Sequence, residues 1–495
     1  MSDNLKSTAI KGARWGFIEN FSSMAVTFIV GFVLARWFLG PEEYGLIGEL
    51  TIFIAISISL IDNGFSAAII RKPNPSREDL STTFITNFAI SLVCFGILFA
   101  GAPLVASYFA QPQLTALLRV LSLVLIFNAV SIIQRVLIVK AIDFKRLTVC
   151  SLSSSLLSGV VGIGMAFRGY GVWSLVGQQL TKQASNSIML WILGHWKFEL
   201  KFSFKSFKEL FGYGSNVMFT GILDTLFKNI YYPVIGKSFS AAQLGQYTRA
   251  DQFANVASNN LSQIVQRVSF SVLAKTQESD ERMRNAFRTI IKVTMLVSFF
   301  AGFWLFASSK PLILGLLGEK WAEAAGLLSV IALAGMFYPA HALNQNILQI
   351  KGRMRLYLSL EILKKLLLAV SIVIGIIARS LNVLLWGMVV VSVLIFFINA
   401  WFAGKYIGYS LLRQVMDIIK PFIVSLASAL LIATLYDLLS LFAAVTLDWY
   451  SVTWTNLSIL AAATLCALLL IFLVYRIFPG KELDELKKII KVGKS

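Results

Sequence analysis

This chain is poor in the residues that most enzymes and nucleic-acid binders depend on. Only 14% of its 495 residues are charged, and it holds two histidines and three cysteines. Cys94, Cys150 and Cys466 each stand alone in an apolar run, which suits small buried hydrophobes rather than a metal or redox centre. No nucleotide-binding glycine loop, no His and Cys cluster and no nucleophile motif in a plausible context is present. The sequence therefore reads as a non-enzyme, with no cofactor and no metal. Acidic residues are also few, 25 against 44 Lys and Arg, for a net charge of +19. In a soluble protein that excess would point to nucleic acid, but 57% apolar composition excludes a soluble domain.

What the chain does have is long apolar runs. A spanning helix needs about 20 mostly apolar residues, because in lipid each backbone amide must be satisfied within its own helix or a closed barrel. The apolar residues here run on rather than alternate, so the expected class is all-α, not a barrel. Spans are read at about 14–38, 46–70, 81–105, 114–138, 147–167, 172–194, 212–236, 247–272, 287–308, 323–350, 356–378, 382–403, 421–442 and 456–478, about fourteen in all. The first is too long for a signal-peptide core and no cleavage site follows it, so it should remain as an anchor.

Lys and Arg crowd into the N-terminus, the even-numbered loops and the C-terminal tail. The odd-numbered loops hold only Arg168, Lys237, Lys310, Lys320 and Arg379. Since Lys and Arg are retained on the cytoplasmic side, both termini should be cytoplasmic. The positive charge is then a topology signal, and nucleic acid is not expected as a partner. The longest outer loop, about 437–455, is too short for a folded catalytic domain. The inner stretch 195–211 (HWKFELKFSFKSFKELF) mixes aromatic rings with Lys201, Lys205 and Lys208, as suits a segment lying on anionic lipid and acting as a flexible hinge.

Two internal echoes suggest a repeat. Leu39–Gly45 (LGPEEYG) and Ser238–Gln246 (SFSAAQLGQ) are short polar turns that align when Gly45 is laid over Gly245. Val136–Leu147 (VLIVKAIDFKRL) and Ile347–Leu358 (ILQIKGRMRLYL) follow the fourth and tenth spans. The reading is two six-helix lobes in parallel pseudo-repeat plus a terminal helix pair. In residues this gives an N-lobe at 1–194, an amphipathic linker at 195–211, a C-lobe at 212–409, two added helices at 410–478 and a cytoplasmic tail at 479–495.

Polar groups inside the membrane are costly and mark function or packing. Lys228 is expected near mid-bilayer, four residues after Asp224, the order that favours a helical ion pair. Functionally, the cation would be lent to an anionic ligand. In the eighth span Asn255, Asn259, Gln263 and Gln266 recur at helical spacing, with Arg249, Asp251 and Gln252 at one end and Arg267 at the other. Such a stripe fits a water-filled cavity or bonding between helices. Arg36, Glu49 and Asp62, with Asp224, are candidate coupling or gating groups, although Arg36 and Glu49 could equally pair across the LGPEEYG turn. Asp62 lies in LIDNGF, where Asn63 and Gly64 loosen the helix. Arg135, Lys182, Arg267 and Lys292 are read as lying near cytoplasmic ends, within snorkelling reach. Pro233 and Pro339 should kink their spans, Ser154, Ser158 and Gly162 offer a small packing face, and His341 reads as a packing residue.

Several of these stretches carry a family likeness. LGPEEYG with LIDNGFSAAIIR, KAIDFKRL, GYGVWSLV at Gly169–Val176 and FSAAQLGQYTRA at Phe239–Ala250 resemble the polysaccharide flippases of the multidrug, oligosaccharidyl-lipid and polysaccharide exporter superfamily. The resemblance implies a bacterial inner-membrane protein with two lobes around a central cavity. It would move undecaprenyl-diphosphate-linked oligosaccharide repeat units by alternating access, for O-antigen, capsule or exopolysaccharide synthesis. Cationic cavity residues would meet the diphosphate, and Lys228, Arg249 and Arg267 are the candidates, with Asn255, Asn259 and Gln263 as polar lining. Partners implied are the lipid-linked oligosaccharide, membrane lipid, a coupling H+ or Na+ and a polysaccharide polymerase. Two alternatives stay open: an ion-coupled drug or cation antiporter of the same superfamily, and a membrane glycosyltransferase such as a polymerase or ligase.

Overall fold

The computed structural model describes residues 2–62, 64–194, 196–446 and 452–477, and among these there are helices and turns but no strand. The first repeat runs as α1 (Ser2–Val33), which continues through a π-helical turn at Leu34–Phe38, then α2 (Pro41–Asp62) and α3 (Phe65–Arg71), parted at Gly64. It continues with α4 (Arg77–Phe109), α5 (Leu114–Leu121), α6 (Leu123–Lys140), α7 (Phe144–Phe167) and α8 (Trp173–Leu193). The second runs as α9 (Phe204–Asn229), α10 (Tyr231–Ser238), α11 (Ala241–Ala274), α12 (Asp280–Leu317), α13 (Ala322–Gly335), α14 (Tyr338–Ile350), α15 (Met354–Ile377) and α16 (Leu381–Lys405). Two further helices, α17 (Leu411–Thr446) and α18 (Val452–Ile477), follow.

The repeat is written in the punctuation between helices. Ser76 and Ser279 each cap a long helix, α4 and α12, by accepting a bond from the backbone amide three residues on. Each of these helices carries a proline, Pro103 or Pro311, seven residues before a left-handed residue, Ala110 (φ 57°) or Gly318 (φ 91°). Farther on, Ile142 (φ 59°) and Gly352 (φ 68°), then Gly169 (φ 78°) and Arg379 (φ 47°), are left-handed pairs 210 residues apart. Left-handed backbone costs a non-glycine residue about 1–2 kcal/mol, so Ile142 and Arg379 sit there because the turn requires it. Prolines place the breaks as expected: α9 gives way to α10 just before Pro233, and Pro339 lies in the first turn of α14.

Ten helical stretches among the described residues are long and apolar enough to cross a membrane. Four further long segments, α8, α9 with α10, α11 and α15, fall outside that set, and they carry the mid-span Lys182, Asp224, Lys228, Asn255, Glu361 and Lys364. Together they are consistent with the expected fourteen, and they locate the polar groups.

The chain packs as two compact units, Met1–Gly245 and Gln246–Ser495. In the first, α7 lies between α1 and α8, and its small residues permit close approach: Gly159 faces Val30, Gly162 faces Gln178, and Ser154 and Ser158 are buried. By order α9 and α10 open the second repeat, yet they pack on α2, α3 and α4 of the first unit. A Cβ on Gly64 would lie 2.4 Å from the Gly214 carbonyl oxygen. The linker is no free hinge along its described length. Gln134 Nε2 donates to the Trp196 carbonyl at 2.8 Å, Arg77 pairs with Glu199 at 2.9 Å, and the Ser203 amide donates to Thr82 Oγ1 at 3.0 Å. Its rings stack with Phe84 and Trp191, and Phe204 begins α9 directly. Aromatic packing and ion pairs therefore hold a segment whose composition alone suggested looseness.

One contact in the first unit is reciprocal. A Cβ on Gly45 would lie 1.7 Å from the Ala241 carbonyl oxygen, and a Cβ on Gly245 would lie 1.7 Å from the Pro41 carbonyl oxygen. Pro41 and Ala241 are the first residues of α2 and α11, so each helix start presses its first carbonyl onto the other's glycine. The two echoed turns thus meet backbone to backbone, which only glycine permits.

In the second unit, Phe287, Phe299, Phe337, Phe396 and Tyr409 form the centre of the core, with α17 laid along α12. Asp417 of α17, 8% exposed, pairs with Arg288 and with Lys292 at 2.9 Å, and accepts a bond from Tyr409 Oη. Lys292 is thus an ion-pair partner rather than a snorkelling residue.

Candidate functional site

The first unit places Glu49 and Asp62 on α2, Asp224 and Lys228 on α9, and Arg36 on the π-helical turn before α2. Glu49 lies one turn beyond Gly45, is 1% exposed, and packs so that a Cβ on Gly236 would meet its Cγ at 2.8 Å. Its Oε2 has no hydrogen-bond partner among the described residues, and the Arg36 pairing is not made. Arg36 is carried on the π-helical turn, whose extra residue re-aims side chains, and it makes its contacts elsewhere. Asp62, exposed at the end of α2, accepts a bond from Ser66 Oγ across the break at Gly64 (φ 67°). Asn63 is outside the described residues.

On α9, Asp224 and Lys228 are both exposed, and the helical ion pair between them is not formed. Lys228 makes no ion pair or hydrogen bond among the described residues, whereas Asp224 has a contact of its own. The cause is local: Lys228 falls in the last turn of α9, where unpaired carbonyls and the helix dipole already favour a cation.

In the second unit, α11 carries the amide row. Arg249 is buried at 6% exposed, with its guanidinium 5.8 Å from the Trp321 ring centroid and donating to Gln252 Oε1 at 2.6 Å. Asn255 donates to Asp251 Oδ2 at 2.7 Å. Farther along, Gln263, Gln266 and Arg267 are exposed. Ile264 and Val268 are exposed beside them, so polar and apolar side chains share the surface of this part of α11. The side chain of Asn259 is outside the described residues. Elsewhere on α11 Ser258 closely faces Gly335, beside a small pocket lined by Ala254, Ser298, Gly302 and Ala332.

Sequence reasoning missed a second polar set in this unit. Gln345 of α14 donates to Glu361 of α15, which also pairs with Lys364 at 2.8 Å. Around it the amide donors are bonded and the acceptors are not: Asn346 Nδ2 donates to Ser269 Oγ at 2.8 Å, while Asn344 Oδ1 and Asn346 Oδ1 have no partner among the described residues, and His341 Nε2 lies 3.0 Å from the Ser392 carbonyl. His341 is thus the packing residue it was read as. The available signal was the EILKK spacing in an otherwise apolar run, which puts Glu361 and Lys364 on one helix face.

The depth of Lys182 also needs correction. It is the tenth of 21 residues in α8, about 14–17 Å from either end at 1.5 Å per residue. Its Nζ donates to Thr27 Oγ1 of α1 at 3.1 Å. Arg135 is exposed at the far end of α6, as expected for a snorkelling residue.

Outside the spans, Lys72 joins Asp79 at 3.0 Å and Glu209 at 3.2 Å, and the hydrogen bond to Asp79 raises its pKa. Hydrogen bonds from Arg77 and then Lys201 hold Glu199 below the ordinary carboxylate range. No group of three or more His, Cys, Asp or Glu side chains placed to hold a metal occurs among the described residues.

Solved structures with this arrangement include a lipid II flippase MurJ in an inward closed conformation, with a TM-score of 0.71 and 12% identity over 94% of this chain and 99% of that one. An inward-facing multidrug resistance MATE family transporter follows, with a TM-score of 0.60 and 14% identity over 79% of this chain and 98% of that one. At such identities the likeness establishes the fold. In sequence, the chain is 26% identical to the teichuronic acid biosynthesis protein TuaB of Bacillus subtilis (strain 168), over 85% of this chain and 88% of that protein. It is 24% identical to the lipopolysaccharide biosynthesis protein WzxC of Escherichia coli (strain K12) over 86% of both, and 24% identical to the succinoglycan biosynthesis transport protein ExoT of Rhizobium meliloti (strain 1021) over 66% of both. The polysaccharide biosynthesis protein family matches residues 33–326, more than half of the chain, and this multi-pass membrane protein belongs to that family.

Proposed function

We propose that this protein is a flippase that carries undecaprenyl-diphosphate-linked oligosaccharide repeat units across the bacterial inner membrane by alternating access, for surface polysaccharide synthesis. The observation that carries the reading is the exposed polar and cationic surface of two long helices: Lys228 on α9, and Gln263 with Arg267 on α11. A diphosphate with attached sugars cannot cross about 30 Å of hydrocarbon unaided. Cations would offset its charge, and the amides of Asn255, Asn259 and Gln263 would bond its sugar hydroxyls. Arg249 would contribute from its seat against Trp321, and the isoprenoid tail would stay in lipid.

Glu49 is the coupling group in this reading. Its carboxyl is buried, and Oε2 lacks a hydrogen-bond partner among the described residues, so Glu49 has an oxygen to spare for a coupling ion. It would therefore hold that ion when α2 is enclosed and release it when water reaches it. Asp224, Asp62 and Arg36 would stabilise the helix ends that move. The fold shared with a MATE transporter and the same buried carboxyl support a second reading, an ion-coupled antiporter. Both termini are assigned to the cytoplasm, and a polymerase would use the exported units.

Deleting the gene tests the function directly: undecaprenyl-linked repeat units should accumulate on the cytoplasmic side, and normal surface glycan without accumulation would refute it. For orientation, a cysteine at Ser240 should react with an impermeant reagent from outside and one at Lys205 should not. Both positions are exposed, whereas Ser206 is buried. The reverse pattern inverts the topology.

A further inference from the structure

The first unit holds a lysine midway along a helix, Lys182 of α8, that no acid neutralises among the described residues. Lys182 stands about 14–17 Å from either end of α8, well beyond what a lysine's own reach of roughly 6 Å can bring to the headgroups. Its described partner is a neutral hydroxyl, Thr27 Oγ1, at 3.1 Å. An ammonium has three protons to give, so this bond leaves donors over. The surroundings are polar without being acidic: Gln178, Gln179, Gln183, Ser185 and Asn186 lie within a turn of it on α8, and Ser23 of α1 bonds Ser155 of α7 at 3.1 Å. Glu19 of α1 is engaged by Ser151 at 2.9 Å, two helical turns from Thr27.

The second repeat shows that the fold itself has no need of a cation here. With the 210-residue offset set by Ile142 and Gly352 and by Gly169 and Arg379, Lys182 corresponds to Ser392 of α16. Ser392 is 5% exposed, its Oγ donates to the Ala334 carbonyl at 2.8 Å, and its own carbonyl meets His341 Nε2. One repeat thus fills this position with a small hydroxyl residue, while the other fills it with a half-buried ammonium. A charge inside a bilayer is costly, so a position where serine suffices for packing keeps lysine for a ligand.

We propose that Lys182, with Thr27 beside it, is a phosphate-binding site of the first unit, taking a diphosphate group. This rests on the flippase reading and adds a residue to it. Ammonium and hydroxyl side by side present two donors to one phosphate, and Lys182 would turn a free N–H toward it without breaking the bond to Thr27. The diphosphate could come from a lipid headgroup or from a soluble anion, so both are tested.

The experiment uses the full chain in nanodiscs and reads the rate at which Lys182 is acetylated, by mass spectrometry, with polyprenyl diphosphate, inorganic diphosphate or polyprenol added. Polyprenyl diphosphate should slow modification of Lys182 several-fold, and polyprenol should not. Protection by inorganic diphosphate as well would make the site one for the anion itself, and its absence would make the lipid carrier part of recognition. Alongside, Lys182→Gln should weaken binding of polyprenyl diphosphate roughly tenfold or more, the loss of one charge-assisted bond, while Lys182→Arg holds it within about threefold. Should polyprenyl diphosphate bind while Lys182 is acetylated at its free rate, or should polyprenol protect equally, the site is wrong and the flippase reading survives. If polyprenyl diphosphate does not bind the wild-type chain at all, both fall. The acetylation arm needs no variant, so it stands even if Lys182→Gln fails to reach the membrane.

Discussion

Single residues here are informative chiefly where a polar atom has nothing to do. Glu49 is the sharpest case, a carboxyl sealed against Gly236 with no bond to its Oε2 among the described residues. Glu49→Gln keeps the shape and removes the ionisable group, so thermal stability in detergent should stay within about 1 kcal/mol of wild type. Export of surface glycan should nevertheless stop, and a glutamine variant with wild-type glycan would take Glu49 out of the coupling role. Lys228→Ala should likewise abolish export at unchanged membrane abundance, because Lys228 holds no structural ion pair that its loss could break. Lys228 was legible in the sequence as an isolated cation in an apolar run. What could not be read was its release from Asp224, which depends on α9 ending at Asn229. Lys182 was misplaced for a related reason: amides on both sides of it blur the edges of the apolar run by which depth is judged.

Among the elements, α17 shows how a terminal helix is fastened to a repeat that has no place for it. Asp417 reaches Arg288 and Lys292 of α12 and accepts from Tyr409 at the turn before α17. Asp417→Ala removes the common acceptor and leaves the cations without it, so it should destabilise the protein by about 2–4 kcal/mol, read as a lowered melting temperature and as easier proteolysis ahead of α17. An unchanged melting temperature would reduce the cluster to a surface contact. The linker offers a pH test. Because Glu199 is held below its ordinary pKa by Arg77 and Lys201, its contribution is in place above the unfolded carboxylate range and disappears as pH falls through the lowered value. Pepsin, which acts in acid, should therefore cut the linker near Leu200 more readily as pH falls through that value, and trypsin should cut Glu199→Gln near Lys201 more readily than wild type at neutral pH. Sequence reading gave the linker its aromatic and basic character but not its docking, since stacking on Phe84 and Trp191 joins residues far apart in the chain.

For the molecule as a whole, the sequence carried the span pattern and the existence of a repeat, because hydropathy and turn residues are local properties. It did not carry the way the repeat is shared out in space. α9 and α10 follow the second repeat in order and the first unit in packing, a result of contacts such as Gly64 with Gly214 that no periodicity announces. The echo of Gly45 in Gly245 was visible as a resemblance of turns, whereas its physical meaning, two helix starts in mutual backbone contact, was not. Gly45→Val or Gly245→Val should abolish export while the protein still reaches the membrane, because a branched side chain cannot occupy 1.7 Å of space against a carbonyl oxygen. Wild-type export from either variant would show that the contact is dispensable.

That embrace of two helix starts has a consequence for heredity as well as for motion. Each glycine is barred from acquiring a side chain by the main chain opposite it, and main-chain atoms cannot mutate to make room. No second-site change of residue type opposite either glycine can therefore make room for a side chain there, and the two helix starts are held together by atoms that no substitution replaces.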